Sequence, residues 1–110
     1  MTSPRVARGR RTEVKAAEYL RANGFIFAEH RPASLPGSDI FGIPGVDIEI
    51  KATESNALIS GLRQSLKRAP DAELNICIYR PRGMGETAVG DWIVSMTFAQ
   101  FVQLMRGYGL

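Results

Sequence analysis

The period of the hydrophobic positions changes several times along the chain, and each change marks an element. From about Arg10 to Asn23, Ala16, Ala17 and Leu20 recur at helical spacing and Gly24 follows at a capping position, which predicts a first helix. Phe25 to Glu29 reads as a short strand, Arg31 to Ser38 as a loop rich in Pro, Gly and Ser, and Asp39 to Ile43 as a second strand. Gly42, Pro44 and Gly45 supply a turn. Val46 to Ala52 alternates strictly, with Val46, Ile48 and Ile50 on one face and Asp47, Glu49 and Lys51 on the other, the period of a strand with one buried face. This strand and the one before it read as a hairpin.

A second helix is predicted from about Asn56 to Ala69. Leu58, Ile59, Leu62, Leu66 and Ala69 form its stripe, Arg63, Gln64 and Lys67 its outer face, and Pro70 stops it. Glu73 to Tyr79 alternates again, a Gly-rich basic loop covers Arg80 to Gly90, and Asp91 to Met96 gives a further strand. Thr97-Phe98-Ala99-Gln100 fits a capping box, in which Gln100 reaches back to the threonine, and Phe98, Phe101, Val102 and Met105 make the apolar face of a last helix. The order is α-β-β-β-α-β-β-α, an α/β chain.

Composition narrows the class. Of 110 residues, 45% are hydrophobic and 23% charged, with 14 Lys plus Arg against 11 Asp plus Glu, a formal charge of +3. With no repeat, low-complexity tract or long linker, residues 1–110 read as a single domain, with 1–9 a flexible basic arm. Disordered, collagenous and disulfide-scaffold classes are excluded. The one cysteine, Cys77, lies in an apolar run and reads as a buried thiol in a reducing compartment. No apolar run approaches a membrane span and the first residues do not resemble a signal peptide, so a cytoplasmic location and no membrane partner are expected. The mild positive charge raises nucleic acid as a partner only modestly.

Placement of the charges says more than their sum. Glu13 projects from the middle of the first helix's apolar stripe, where burying an unpaired carboxylate costs several kcal/mol. Such a residue is metal-bound, at the edge of a cleft, or paired at the rim, here with Arg10 or a neighbouring strand. Asp47, Glu49 and Lys51 share one strand face, and Asp39, opening the preceding strand, is expected beside Glu49 across the hairpin. Two carboxylates and a lysine would then converge, a donor set suited to Mg²⁺. Asp47, at the beginning of its strand, is expected to be peripheral. His30 and Cys77 are too few and too separate for zinc.

Gly9-Arg10-Arg11 before Glu13 on a first helix, Pro36-Gly37-Ser38-Asp39, and Glu49-Ile50-Lys51 followed by a helix together resemble the PD-(D/E)XK nuclease superfamily, most closely its Holliday junction resolvases of archaeal and phage type. The likeness covers nearly the whole chain, though each motif alone is weak. It implies a restriction-endonuclease-like fold with a mixed central β-sheet flanked by helices. It also implies metal ligation by Asp39, Glu49 and the Ile50 carbonyl, with Glu13 binding directly or through water, and a nucleophilic water served by Lys51. The implied cofactor is Mg²⁺, with Mn²⁺ able to substitute. Ser38 stands where the family name expects proline, with Pro36 shortly ahead. Gln64 resembles a polar helix residue of some members.

Arg5, Arg8, Arg10, Arg11 and Lys15 cluster around Glu13 and match a phosphate-contacting arm and helix start, the alternative being a solvated terminus. Arg63, Gln64 and Lys67 extend this DNA-binding set, and Arg31, Arg80 and Arg82 are secondary candidates. The Arg80 to Gly90 loop is either an adaptable DNA contact or an idle connection. The expected function is Mg²⁺-dependent hydrolysis of phosphodiester bonds in branched DNA, a four-way junction above all. Paired incisions by so small a domain require a homodimer, with the last helix as candidate surface. Flap, mismatch, single-strand or restriction-like cleavage, or a non-catalytic DNA-binding module, are the alternatives.

Overall fold

In the computed structural model, which describes residues 3–52 and 56–109, the elements are α1 (Pro4–Ala22), β1 (Glu29–His30), β2 (Ile40–Phe41), β3 (Val46–Lys51), α2 (Ala57–Arg68), β4 (Leu74–Tyr79), a 3-10 turn (Glu86–Asp91), β5 (Ile93–Ser95) and α3 (Phe98–Gly107). The strands form one mixed five-stranded sheet in the order β1-β2-β3-β4-β5. β1, β2 and β3 run as an antiparallel meander, β3 and β4 are parallel through the α2 crossover, and β5 returns antiparallel on β4. The chain is thus α/β, a mixed sheet flanked by helices. Among the described residues no helix is long and apolar enough to cross a membrane.

α1 begins six residues before the expected start. The Ser3 hydroxyl accepts from the Val6 N–H at 3.2 Å and Pro4 occupies the first turn, where its missing N–H costs nothing. Positions 4–9, expected as a flexible arm, are therefore helix, while Met1 and Thr2 lie outside the described residues. The strand expected over Phe25 to Glu29 shrinks to Glu29–His30. Its partner β2 holds two residues before Gly42 turns at φ 93°, so nothing is left for Phe25, Ile26 and Phe27 to pair with and all three are exposed. A side chain at Gly42 would also run into the Phe27 carbonyl.

β3 differs from expectation in an instructive way: both of its faces are buried. Ile48 and Ile50 join Ala16, Ala17, Ala28, Ile40 and Trp92 in an aliphatic core beneath α1. The opposite face, Asp47, Glu49 and Lys51, is covered by α2. α2 accordingly lies on a different stripe from the expected one. Its buried residues are Ala57, Gly61 and Ser65, while Ile59 is 61% exposed. Small residues win that face because the backbone must come close: a Cβ on Gly61 would meet the Cys77 sulfur and stand 3.1 Å from the Cys77 Cβ and 3.3 Å from the Lys51 Cγ. Asn75 and Cys77 of β4 are sealed beneath the same helix.

α3 is capped by Thr97, whose hydroxyl accepts from the Gln100 N–H at 3.1 Å. Gln100 does not complete the capping box. Its side chain instead accepts from the Asn75 N–H at 2.8 Å and donates to the Asn75 Oδ1 at 2.9 Å, latching α3 to the start of β4. The apolar face of this helix is largely open, with Phe98 79% exposed and Phe101, Val102 and Leu104 exposed beside it.

Candidate active site

The margin of the sheet where β2 meets β3 carries the ionisable groups singled out from the sequence. Asp39 is fixed by its backbone and its carboxylate together. Its N–H donates to the Ile48 carbonyl at 2.8 Å, and its Oδ2 accepts from the Ile50 N–H at 2.7 Å. Ser38, in the position where proline was expected, contributes a hydroxyl that accepts from the Ile48 N–H at 2.8 Å and so continues the β2–β3 ladder with a side chain. The loop before it is tied down by Arg31, which donates to the Ser38 carbonyl at 2.9 Å and lies over the Phe41 ring.

Glu49 projects toward α2 from the centre of β3. Its Oε1 accepts from Arg68 Nη1 at 2.8 Å, and Lys51 Nζ stands 3.7 Å from its Oε2. Asp47, expected to be peripheral, is buried beside it and gathers three donors: Arg68 Nε at 3.0 Å, Arg68 Nη2 at 2.6 Å and the Ser65 hydroxyl at 2.6 Å. The physical reason is the parallel β3–β4 crossover, which lays α2 over both acidic positions of β3 and leaves a carboxylate there little exposed to water. Arg68, which ends α2, forks across Asp47 and Glu49 and is the site residue that the sequence reading missed. Its signal was present: Ala57, Gly61, Ser65 and Arg68 share one helical face, the only face small enough to lie on a polar strand.

Electrostatics links the three carboxylates. Desolvation raises the Asp39 and Glu49 pKa values, and the two acids repel each other, although the Ile50 N–H, Arg68 and Lys51 pull in the opposite direction. Glu13, half-buried on α1, is pushed up to about 7, first by desolvation and then by Asp39 and Glu49, with Arg10 opposing. Glu13, Asp39, Glu49 and Lys51 are thus within one electrostatic neighbourhood. Hydrogen bonds with Asp47 and Glu49 raise the Arg68 pKa, despite desolvation. Among the described residues no group of three or more His, Cys, Asp or Glu side chains is placed to hold a metal ion.

The basic candidates divide. Arg10 and Glu13 line a cleft of about 400 Å³ with His30 and Arg31. Arg5 and Arg11 are exposed along α1, and Arg63, Gln64 and Lys67 along the outer face of α2. Lys15 stands 3.5 Å from Glu18. Arg8 is not part of a loose arm: it donates to the carbonyls of Ala52 and Pro81, both at 3.2 Å. Arg80, placed in a flexible loop by the sequence reading, is buried.

No protein-family model matches the chain, and no curated protein or solved structure matches it either.

Proposed function

We propose that this chain is a Mg²⁺-dependent, structure-selective DNA endonuclease of PD-(D/E)XK type, on a restriction-endonuclease-like fold, acting in the cytoplasm on four-way junctions. One observation carries this reading. Glu13, Asp39 and Glu49, supplied by separate parts of the chain, gather with Lys51 around β3, where burial first and mutual repulsion second raise the proton affinity of the acids. The donors suit a hard cation. Among the described residues Asp39 Oδ1 accepts no hydrogen bond, and Glu49 Oε2 is ion-paired with the Lys51 ammonium at 3.7 Å, beyond hydrogen-bond length. Mg²⁺ needs only one or two carboxylates and keeps its waters. Asp39, Glu49 and the Ile50 carbonyl would hold it, with Glu13 direct or through water. Bound there, it would polarise a phosphate oxygen and acidify water.

The chain's own groups then have defined tasks. The Ile50 N–H holds Oδ2 of Asp39 and so fixes its carboxylate. Arg68 holds one oxygen of Glu49 and presents the other. Lys51 orients the attacking water and sets positive charge against the phosphate oxygens. Glu13, with a pKa of about 7, exchanges protons near neutral pH. Arg5, Arg10 and Arg11, with Arg63, Gln64 and Lys67 from α2, offer the surrounding contacts to the DNA backbone. Paired incisions need two such sites, and the open apolar face of α3 beside exposed Ile93 and Val94 suits contact between two copies.

The test is incubation with Mg²⁺ and matched four-way, flapped, nicked and linear DNAs. Junctions should be cut preferentially, and Asp39→Asn or Glu49→Gln should slow cutting by at least about 100-fold while binding persists. Equal cutting of linear duplex sinks the junction assignment, and undiminished cutting by the variants sinks the site. A second reading, a non-catalytic DNA-binding module, draws support from Arg68, which already satisfies one oxygen of Glu49. It predicts no cutting of any DNA and no Mg²⁺-dependent rise in Tm.

A further inference from the structure

Arg80 is 6% exposed, yet among the described residues its hydrogen-bond and ring partners are all neutral. Its Nε donates to the Met84 carbonyl at 2.9 Å, its Nη1 donates to the Thr12 hydroxyl at 3.1 Å, and its guanidinium lies over the Trp92 ring at 5.6 Å. Thr12, itself sealed from solvent, donates onward to the Arg8 carbonyl at 2.7 Å. The Arg8 guanidinium is in turn fastened to the ends of β3 and β4 through the Ala52 and Pro81 carbonyls. Two guanidinium groups are therefore bolted between α1 and the 80–84 loop, and among the described residues neither forms an ion pair. Burying a cation without a counter-ion is costly, and chains that do so usually neutralise it. Desolvation, Arg8 and Arg11 all work against the charge on Arg80, with Glu86 alone in its favour.

Both side chains retain donors. Among the described residues Arg8 Nη1 and Arg80 Nη2 make no hydrogen bond. Ser60 Oγ is the one buried side-chain nitrogen or oxygen without a partner among the described residues, so these nitrogens are not sealed in and reach solvent. Arg11 lines the adjoining cleft with Glu86. Preorganised guanidinium forks with unused N–H groups and no internal carboxylate match the geometry of a phosphate group.

We propose that Arg8 and Arg80 form a seat for a phosphate group of a nucleic-acid backbone, apart from the reacting phosphate at Glu13, Asp39 and Glu49. The seat rests on the nuclease reading for its ligand, but its existence is tested by binding and not by cutting. Positioning is its role, because both guanidinium groups are held by hydrogen bonds and enter it already ordered, whereas surface lysines lose rotamer entropy on contact.

Tm of the full-length protein in inorganic phosphate is compared with that in chloride at matched ionic strength, and the Nε–H resonances of Arg8 and Arg80 are followed as phosphate, then junction DNA, is added. Phosphate should raise Tm and shift both resonances, and DNA should shift them further at far lower concentration. Arg8→Gln should weaken DNA binding about tenfold, reduce its salt slope by about 1, and abolish the phosphate effect on Tm. Unmoved resonances in the natural protein overturn the seat even if Arg8→Gln fails to fold. Shifts with free phosphate but none with DNA overturn the backbone assignment. Cutting by a protein whose Arg8→Gln variant binds normally leaves the nuclease reading intact and removes the seat, whereas a functional seat without cutting removes the nuclease reading alone.

Discussion

The two faces of one strand are stabilised by different physics. Toward α1, β3 presents Ile48 and Ile50 to an aliphatic layer of alanines, Ile40 and Trp92, where shape and buried area decide the packing. Toward α2 it presents Asp47, Glu49 and Lys51 to a helix face of Ala57, Gly61, Ser65 and Arg68, where partner count decides it. Asp47 has three donors and Asn75 donates to the Ser65 carbonyl and hydroxyl and to the Ala69 carbonyl, so the polar face is nearly saturated from within. A strand of six residues thereby separates a layer that sets stability from one that fixes the orientation of reactive groups. The nonadditive, pairwise character of the second layer is what makes it suitable for a site.

Substitutions on the two faces should behave differently with pH. Ile48→Ala removes a side chain 1% exposed and should cost about 3–4 kcal/mol, by chemical denaturation, at any pH between about 5 and 8. Arg68→Met strands two buried carboxylates. Because the Arg68 side chain is 27% exposed, solvent reduces the cost to about 2–3 kcal/mol at about pH 8. That penalty should shrink as falling pH protonates Glu49, whose folded pKa is raised by desolvation, since a stranded acid destabilises only where it is ionised. Equal pH dependence of the two variants would break the contrast between the faces.

Gly61→Ala probes the closeness that the polar face requires. The added methyl meets the Cys77 side chain, so α2 must lift, and a loss of about 1–3 kcal/mol is expected although alanine is the better helix former. A gain in Tm would show that the helix stands off further than the contact implies. The smallest effect belongs to Glu13→Gln. With a folded pKa of about 7 against an ordinary 4.5, Glu13 keeps a proton in the folded chain that the unfolded chain releases, so wild-type stability falls as pH rises through that window. Removing the charge should stabilise the protein at about pH 8 by roughly 1 kcal/mol after screening, with no gain near pH 4. On the nuclease reading the same variant is slow at cutting, so stability and activity should move in opposite directions.

Much of the molecule was legible in the sequence. The order of elements, the alternation of β3 and the Thr97 cap follow from short-range periodicity and turn residues, and the structure has them as expected. Extents were less legible. β1 and β2 lose residues because a strand lasts only as long as its partner, and Gly42 ends that partner early. The apolar stripe of α2 misled, since Ile59 satisfied the helical period but the close contact with Cys77 demanded glycine at the interface.

What the sequence determined by itself was the set of local signals: which residues alternate, where helices start, and that an acid stands in the middle of a helical stripe. The tertiary structure alone decided the partners. Arg68 answers Asp47 across 21 positions and Arg80 answers Thr12 across 68, and no window of neighbouring residues names either partner. The reason is that periodicity is a property of one segment, whereas the cost of a buried charge is settled by whichever distant group the fold brings within hydrogen-bond reach.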